Sequence, residues 1–263
     1  MRRRGAKAGA LALALLVLGS AAIAGAAAVI QQGNLRITLL AQISPYRLPR
    51  IGTAPIAVFI AGHVGTVDGS VPPQLEKMTI KVNRHGRLDS TGLPVCSLPQ
   101  IQPGSTSRAL ADCPGSLIGA GRFWASIVLP DQRPYPTRGR LLIFNGREGG
   151  KPVIYAHIYT TNPFSTSFVI TFAIHHIAHG TYGTELSASL PQALGTWGFV
   201  DRIKLTLRRK YTYRGQQRSY FNAGCPAAKG TRGAAFPLAQ ANFSFAGGKQ
   251  VQLTETKSCG VKE

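Results

Sequence analysis

The sequence predicts an all-β protein: a two-sheet β-sandwich-like domain of about twelve strands with one short helix, after an N-terminal hydrophobic export segment. Apolar and polar residues alternate in short runs, which is typical of half-buried strands. Glycine, proline, asparagine and aspartate cluster between these runs, as expected for turns. Hydrophobic residues make up 44% of the 263 residues. A chain of this length and composition can bury a core, which excludes a disordered linker or tail.

The first 30 residues are predicted to direct the chain out of the cytoplasm. Four basic residues lie within residues 2–7, and the next 28 positions, from Ala8 to Leu35, carry no charge. Basic residues before an apolar run stay on the cytoplasmic side of the membrane. Residues 31–263 are therefore expected to form a single exported β-rich domain.

Two interpretations of this segment remain open. The apolar core from Leu11 to Leu18, which Gly19 and Ser20 interrupt, favours a cleaved signal peptide. Residues 8–30 are also long enough to cross a bilayer as an uncleaved N-terminal membrane anchor. The expected location is the same in both cases: secreted, or on the extracytoplasmic face of the membrane with the N-terminus in the cytoplasm.

Twelve strands are predicted from the alternating runs. Two packed sheets are the simplest arrangement, because each strand has one apolar face to cover and an open twisted sheet of twelve strands tends to split or curl. The predicted strands are 35–42, 55–64, 75–83, 121–129, 140–144, 152–159, 167–177, 182–190, 200–213, 218–223, 238–245 and 251–256.

One segment departs from the strand pattern. Between Ser105 and Leu117, apolar residues are spaced by three and four, which predicts a short helix with Ser107 as its N-cap. Pro114 limits the length of this helix.

Four cysteines favour two disulfides, because an even number in an exported protein is typical of structural cross-links. Of the three possible connectivities, Cys96–Cys113 with Cys225–Cys259 is preferred, since each pair is near in sequence. There is no Cys-x-x-Cys motif and no cysteine beside a histidine, so neither a redox motif nor a zinc site is expected.

The charge of the chain is strongly one-sided. It has 30 Lys and Arg against 10 Asp and Glu, a formal net charge of +20, although only 15% of its residues are charged. Such a surface attracts anions and repels basic partners. An exported protein meets anionic wall polymers and anionic lipid surfaces, whereas intracellular nucleic acid is not an expected partner. The sequence does not indicate the oligomeric state.

The most basic stretch runs from Asp201 to Arg218. Its odd positions are mostly apolar and are expected to face the core, except Arg209, while its even positions form a row of cations on the opposite face of a strand. A return strand after Gly215 is expected to widen this row. The row is either a plain solvated strand face or an anion-binding surface, and the candidate binding residues are Arg202, Lys204, Arg208, Lys210, Arg214 and Arg218.

The histidine cluster does not predict a metal site. On a strand, His175 and His179 are about 13 Å apart along the axis and His176 points to the other face. A hairpin that turns near Pro163 places His157 opposite Val169, away from the cluster. No metal and no cofactor are therefore predicted.

Catalytic motifs are missing from the sequence. It contains no nucleophile elbow, no phosphate-binding glycine loop and no calcium loop. Glycoside hydrolysis requires two facing carboxylates, and Glu148 and Glu185 could supply them on a sandwich, although nothing selects them over the other acids. No catalytic residue is assigned.

Several short motifs occur together between residue 35 and the last cysteine. They are Leu48-Pro49-Arg50, Asp68-Gly69-Ser70, Gly92-Leu93-Pro94-Val95-Cys96, Gly121-Arg122-Phe123, Phe144-Asn145-Gly146-Arg147, Tyr211-Thr212-Tyr213-Arg214-Gly215, Gly224-Cys225-Pro226 and Phe243-Ser244-Phe245-Ala246-Gly247-Gly248. On these motifs the chain resembles a group of exported actinobacterial proteins of no assigned function. The resemblance implies a bacterial envelope or secreted setting and carries over no site residue.

The expected function is that of a non-catalytic secreted or cell-envelope protein. It is either structural or binds an anionic envelope polymer, or an anionic lipid surface, through the basic strand face. The alternative is a secreted hydrolase that acts on wall polysaccharide.

Overall fold

The computed structural model describes residues 27–128, 133–162, 165–190 and 198–262. The predicted export segment up to residue 26 lies outside the described residues. Within them the chain forms eighteen strands, two short α-helices, α1 (Leu98–Ile101) and α2 (Thr106–Asp112), and one 3-10 turn, Ala246–Gly248. The strands are β1 (Ala28–Gln32), β2 (Leu35–Ser44), β3 (Arg47–Pro49), β4 (Ala54–Pro55), β5 (Ala57–Thr66), β6 (Leu75–Asn83), β7 (Gly86–Leu88), β8 (Leu117–Ile127), β9 (Tyr135–Glu148), β10 (Lys151–Thr160), β11 (Thr166–His176), β12 (Tyr182–Ser189), β13 (Gly198–Leu207), β14 (Lys210–Tyr213), β15 (Gln216–Ser219), β16 (Phe221–Ala223), β17 (Gly233–Phe245) and β18 (Lys249–Lys262).

The all-β class is confirmed, but the strands do not form a clear two-sheet sandwich. Thirteen of them form one sheet in the order β1-β2-β5-β13-β8-β9-β10-β11-β12-β6-β17-β18-β3. A hairpin, β14–β15, and a small three-stranded sheet, β4-β16-β7, complete the described strands. Every pairing in the large sheet is antiparallel except β18 with β3.

The large sheet curls until β1 and β2 lie beside β18. Register shifts interrupt five of its strand pairings, among them Val200/Arg202 and Pro237/Ala239. Such bulges bend a strand and increase its local twist. The sheet therefore covers its apolar face with its own strands, which is the reason that a second sheet is not needed.

The place where β1 and β2 meet β18, here called the seam, is built around Glu255. Its carboxylate accepts the backbone N–H of Ala28 at 3.2 Å and that of Ala41 at 3.1 Å, and it pairs with the Nζ of Lys257 at 2.7 Å. In a regular sheet, backbone carbonyls of a neighbouring strand would accept these two N–H groups. At the seam the carboxylate of Glu255 accepts them instead.

Most of the core lies inside the curl. One cluster, which includes Phe123, Ile154 and Phe236, fills the interior, and a second, which includes Leu35 and Phe243, packs behind the seam. A third cluster lies on the outer face of β9 and β10, where α1 and α2 cover it. The helices thus protect one part of the outer surface.

The helical segment begins earlier than predicted. Ser105, not Ser107, is the N-cap of α2, because its Oγ accepts the backbone N–H of Arg108 at 3.2 Å. The helix ends at Asp112, just before Cys113 and Pro114. The additional helix α1 was not predicted, since its four residues are too few to show a period.

The predicted strand 200–213 is broken into β13 and β14. At the break, Arg208 still donates its N–H to Ile118 of β8, whereas the carbonyl of Arg209 accepts the N–H of Tyr220. The chain therefore leaves the large sheet here and enters the β14–β15 hairpin. The short strands β1, β3 and β7 were missed, and the predicted strand 218–223 is divided between β15 and β16.

Both disulfides join the predicted partners, Cys96 with Cys113 and Cys225 with Cys259. The first fastens the helical segment to the outer face of β9, and the second ties the end of β18 to the segment after β16. Disulfides indicate an oxidising compartment outside the cytosol. Of the two helices in the described part of the chain, neither is long and apolar enough to span a membrane.

Candidate anion-binding face

The alternation predicted for residues 201–218 is present in the structure. Every even position from 202 to 214 is exposed, and the odd positions are buried or half-buried. The cations nevertheless lie on two different elements. Arg202 and Lys204 belong to β13, Arg208 lies at the break, and Lys210 and Arg214 belong to the hairpin.

Arg218 does not widen this row, contrary to the prediction. The hairpin register places it opposite Tyr211, on the inward side. Its guanidinium pairs with the carboxylate of Asp89 at 3.0 Å and lies over the ring of Tyr213. Arg209 is also half-buried and donates to the carbonyl of Gly115 at 2.9 Å. Both arginines hold the hairpin against the body.

The cations of β13 continue across the neighbouring strands. Lys204 lies opposite Arg122 of β8, which lies opposite Arg140 of β9. One step along, Arg202 lies opposite Trp124, which lies opposite Arg138. Residues directly opposite in an antiparallel pair share a face of the sheet. All five cations are exposed, and we call Arg122, Arg138, Arg140, Arg202 and Lys204 the basic face.

The cations of the basic face are closely spaced. Neighbouring strands are about 4.8 Å apart, and successive residues on one face of a strand are about 6.6 Å apart. Like charges directly opposite each other destabilise a sheet by a few tenths of a kcal/mol or more. None of the five forms an ion pair with another residue that the structure describes. Solvent ions or an anionic ligand can therefore relieve their repulsion.

Trp124 forms the apolar centre of the basic face. The guanidinium of Arg202 lies 5.8 Å from the centroid of its ring, a cation–π contact. Such contacts contribute about 0.5–1 kcal/mol at exposed sites. The ring thus contacts one cation and offers a half-buried aromatic surface between Arg202 and Arg138 of its own row.

One acid borders the basic face. Asp201 occupies the bulge of β13, and its carboxylate accepts a hydrogen bond from the hydroxyl of Ser126 at 3.5 Å. Burial raises the pKa of Asp201, and the nearby charges of His63 and Arg202 offset part of that rise. His63 lies opposite Arg202 on β5. The charge of this border is therefore sensitive to pH.

The β14–β15 hairpin presents two further exposed cations, Lys210 and Arg214. Its tyrosines hold it against the body of the protein. The ring of Tyr213 lies so close to Gly92 that a Cβ there would be 2.1 Å from it, and the hydroxyl of Tyr211 donates to the carbonyls of Asp89 and Thr91 at 3.0 Å. At the tip, Arg214 has a φ of 49° and Gly215 a φ of 74°, as in a two-residue type I′ turn.

The histidines lie where the sequence places them. His157 is opposite Val169, as predicted, and its Nε2 is 2.9 Å from the carbonyl of Gly104. β11 ends at His176, and the Nε2 of His175 is 3.2 Å from the hydroxyl of Ser187. Among the described residues, no three His, Cys, Asp or Glu side chains converge on one point.

Most described acids have local partners. Glu185 lies 3.9 Å from the ammonium of Lys81, and Glu148 borders a shallow cleft of about 400 Å³ together with His175 and His176. The other partnered acids are Asp68 with Asn34 and Ser70, Asp89 with Arg218, Asp112 with Arg108, Asp201 with Ser126 and Glu255 with Lys257. Asp131 and Glu263 lie outside the described residues.

Four residues of the basic face and its aromatic centre were not identified from the sequence: Arg122, Trp124, Arg138 and Arg140. Their alternation with apolar neighbours is visible in the sequence, but the face depends on the register of three strands. Residues 122, 140 and 204 are far apart in the chain and become neighbours only through that register.

Comparison of the chain with protein-family models, with curated proteins and with solved structures gave no significant match. The resemblance to exported actinobacterial proteins stays a prediction.

Proposed function

We propose that the protein is a non-catalytic, exported envelope protein that binds an anionic polymer along the basic face. The observation that supports this most directly is the row Lys204–Arg122–Arg140, three cations directly opposite one another without an ion-pair partner among the described residues. A sheet without a ligand gains nothing from this arrangement. A polymer with regularly spaced phosphates or carboxylates neutralises all three.

The arginine forks and the aromatic centre favour a polymer over a single small ion. Arginine contacts phosphate and carboxylate through two parallel hydrogen bonds. Arg202 and Arg138 flank Trp124 in the second row, so a chain that crosses the face meets charge, an apolar ring and charge again. Arg208, Lys210 and Arg214 extend the positive surface beyond the large sheet.

Export of the protein, by a signal peptide or with an anchor, is part of the proposal. The two disulfides support it, because both require an oxidising compartment. No observation in the described structure favours the hydrolase alternative with Glu148 and Glu185, which stays a prediction.

The proposal is tested by binding to soluble polyanions over a salt series. The probes are polyphosphate and polygalacturonate, with dextran as the neutral control. We expect binding to the polyanions that weakens steeply with salt. The triple variant Arg122→Gln, Arg140→Gln and Lys204→Gln should lower the slope of log K against log salt by about one for each phosphate that the face no longer neutralises.

A matched variant controls for net charge. Lys77, Arg84 and Arg87 are exposed on β6 and β7 or between them, and their replacement by Gln removes the same charge elsewhere. If this control weakens binding as much as the basic-face variant, or if neither variant changes it, the proposed face is not the binding surface.

Trp124 provides a reporter at the site. The chain has two tryptophans, so Trp197→Phe leaves Trp124 as the only one. Iodide should quench its fluorescence more strongly than neutral acrylamide does, because a cationic surface concentrates the anion. Salt and the basic-face variant should remove the difference. Equal quenching by iodide and acrylamide in the unmodified face would contradict the proposal.

A further inference from the structure

A second cationic site lies at the far end of β18, separate from the basic face. A cleft of about 520 Å³ opens between β3 and the segment that leads into β17. Four basic side chains line it, and no acid is among its described lining residues. The residues that line the cleft are Tyr46, Arg47, Arg50, Thr231, Arg232, Gly260, Val261 and Lys262.

Gly260 lies at the floor of the cleft, where the lack of a side chain lets the ring of Tyr46 pack against it. It pairs with Arg47 in the parallel β18–β3 ladder, and the ring of Tyr46 covers it so closely that a Cβ would lie 2.9 Å away. The N–H of Gly260 donates to the carbonyl of Tyr46, and that of Val261 to the carbonyl of Arg232. Both walls are thus attached to the same strand.

The walls are also cross-linked to each other. Arg50 donates to the carbonyls of Ala228 and Thr231, the latter at 2.7 Å. The Cys225–Cys259 disulfide joins the same segment to β18. Arg50 therefore positions the segment that carries Arg232, while Arg47, Arg232 and Lys262 are exposed to an incoming ligand.

Large exposed apolar groups accompany the cations. Ile51 is 90% exposed and Tyr46 is 58% exposed. Most exposed large side chains of a soluble surface need no explanation, but aromatic and aliphatic side chains among cations are typical of surfaces that lie in the headgroup region of a bilayer.

The start of β1 lies toward the same end of β18 as the cleft. Ala28 bonds to Glu255, and the carbonyl of Gln32 accepts from Lys249, so β1 runs antiparallel to β18. The start of β1 therefore points along β18 toward Gly260, about 17 Å beyond Glu255 at the spacing of a strand. The first described residues, which precede β1, therefore approach the body from the end of β18 at which the cleft lies.

From these observations we infer that the cleft lined by Arg47, Arg232 and Lys262 is a binding site for a phosphate oxyanion, presented by a lipid headgroup or by a soluble phosphate ester. Arginine forks and a lysine ammonium match phosphate geometry. Ile51 and Tyr46 provide the apolar contact that a headgroup at a bilayer surface requires and that a soluble phosphate does not.

The test compares vesicles of phosphatidylcholine with vesicles that also contain phosphatidylglycerol, using the protein as it is recovered after export. Any apolar segment contributes equally to both kinds of vesicle, so the ratio of the two affinities measures the contribution of headgroup charge. Replacing Arg47 and Arg232 by Gln should lower that ratio by about tenfold or more, since each basic side chain at an anionic surface contributes substantially. Lys262→Gln is a second, milder variant.

The matched control is Arg202→Gln with Lys204→Gln, which removes the same charge from the basic face. It should change the ratio by less than about threefold. Ile51→Ser should weaken vesicle binding and leave binding of soluble glycerol phosphate unchanged. Thermal unfolding of each variant verifies that it is folded.

Each outcome decides the inference. Loss of the phosphatidylglycerol preference in the cleft variant alone supports the site and assigns a lipid source. Saturable glycerol phosphate binding that only the cleft variant loses, without any vesicle preference, supports the site with a soluble source. An equal loss in the cleft and basic-face variants, or no binding of either ligand, overturns it.

Discussion

The carboxylate of Glu255 lies 2.7 Å from the ammonium of Lys257, and the two side chains are only 1% and 9% exposed. The same carboxylate accepts the backbone N–H groups of Ala28 and Ala41. One side chain therefore joins β1 and β2 to β18 and closes the curl of the sheet.

Glu255→Ala should destabilise the protein by about 3–5 kcal/mol, because it breaks a buried ion pair and removes the acceptor of the Ala28 and Ala41 N–H groups. Glu76→Ala, at an exposed acid of β6, should cost less than about 0.5 kcal/mol. Chemical denaturation measures both changes. The double variant Glu255→Met with Lys257→Met should be less destabilised than Glu255→Ala; a larger loss in the double variant would contradict this account of the seam.

Replacing Arg214 by Asn should stabilise the hairpin while weakening the binding of polyanions. The φ of Arg214 is 49°, a conformation that costs roughly 1–2 kcal/mol for an L-residue with a long side chain and that asparagine tolerates in type I′ turns. We expect a gain of about 0.5 kcal/mol in unfolding free energy. Arg208→Asn, which removes an exposed cation without a positive φ, should weaken binding without this gain. A loss of stability in the Arg214 variant would show that its side chain stabilises the turn.

The stability of the protein should fall as the pH decreases through about 6.5. Burial lowers the pKa of His157 from its usual value of 6.5, so the unfolded chain binds a proton there that the folded chain does not. The stability that neutral His157 contributes is fully present above the pKa of the unfolded chain. It decreases as the pH falls toward the lower pKa of the folded protein. The melting temperature, measured by calorimetry, should decrease as the pH is lowered from about 7.5 to about 5. His157→Gln should flatten that dependence, and an unchanged dependence in this variant would contradict the assignment.

Binding of polyanions to the basic face should become tighter as the pH falls. Burial raises the pKa of Asp201, so its negative charge beside Arg202 is lost before that of an ordinary aspartate, and repulsion of the ligand is lost with it. Asp201→Asn should bind more tightly at neutral pH and show a weaker pH dependence, measured with polyphosphate at constant salt. An unchanged pH dependence in Asp201→Asn would contradict this assignment.

Features that depend on local periodicity were predictable from the sequence. The strand β6, Leu75–Asn83, has the predicted bounds, and the exposure of residues 202–214 alternates as the residue types require. The disulfide partners and the pairing of His157 with Val169 also follow from short separations along the chain. Each of these involves one strand or one short loop.

Features that depend on register between distant strands were not predictable. Arg218 lies in a polar stretch that predicts an exposed side chain, yet the hairpin register turns it inward to Asp89. Arg122 and Arg140 join Lys204 only because β8, β9 and β13 are neighbours. The curl depends on bulges and on the Glu255 seam, none of which leaves a periodic signal in the sequence.

The Cys225–Cys259 bond has a consequence for when the phosphate cleft exists. It links the segment that carries Arg232 to the strand that carries Lys262, so the spacing of the cations is set by an oxidation event. A reduced chain carries the same charges but relies on noncovalent contacts such as the hydrogen bonds of Val261 and Arg50 to hold the two walls together. If the cleft binds phosphate as proposed, we expect its affinity to be highest once this pair of cysteines has been oxidised.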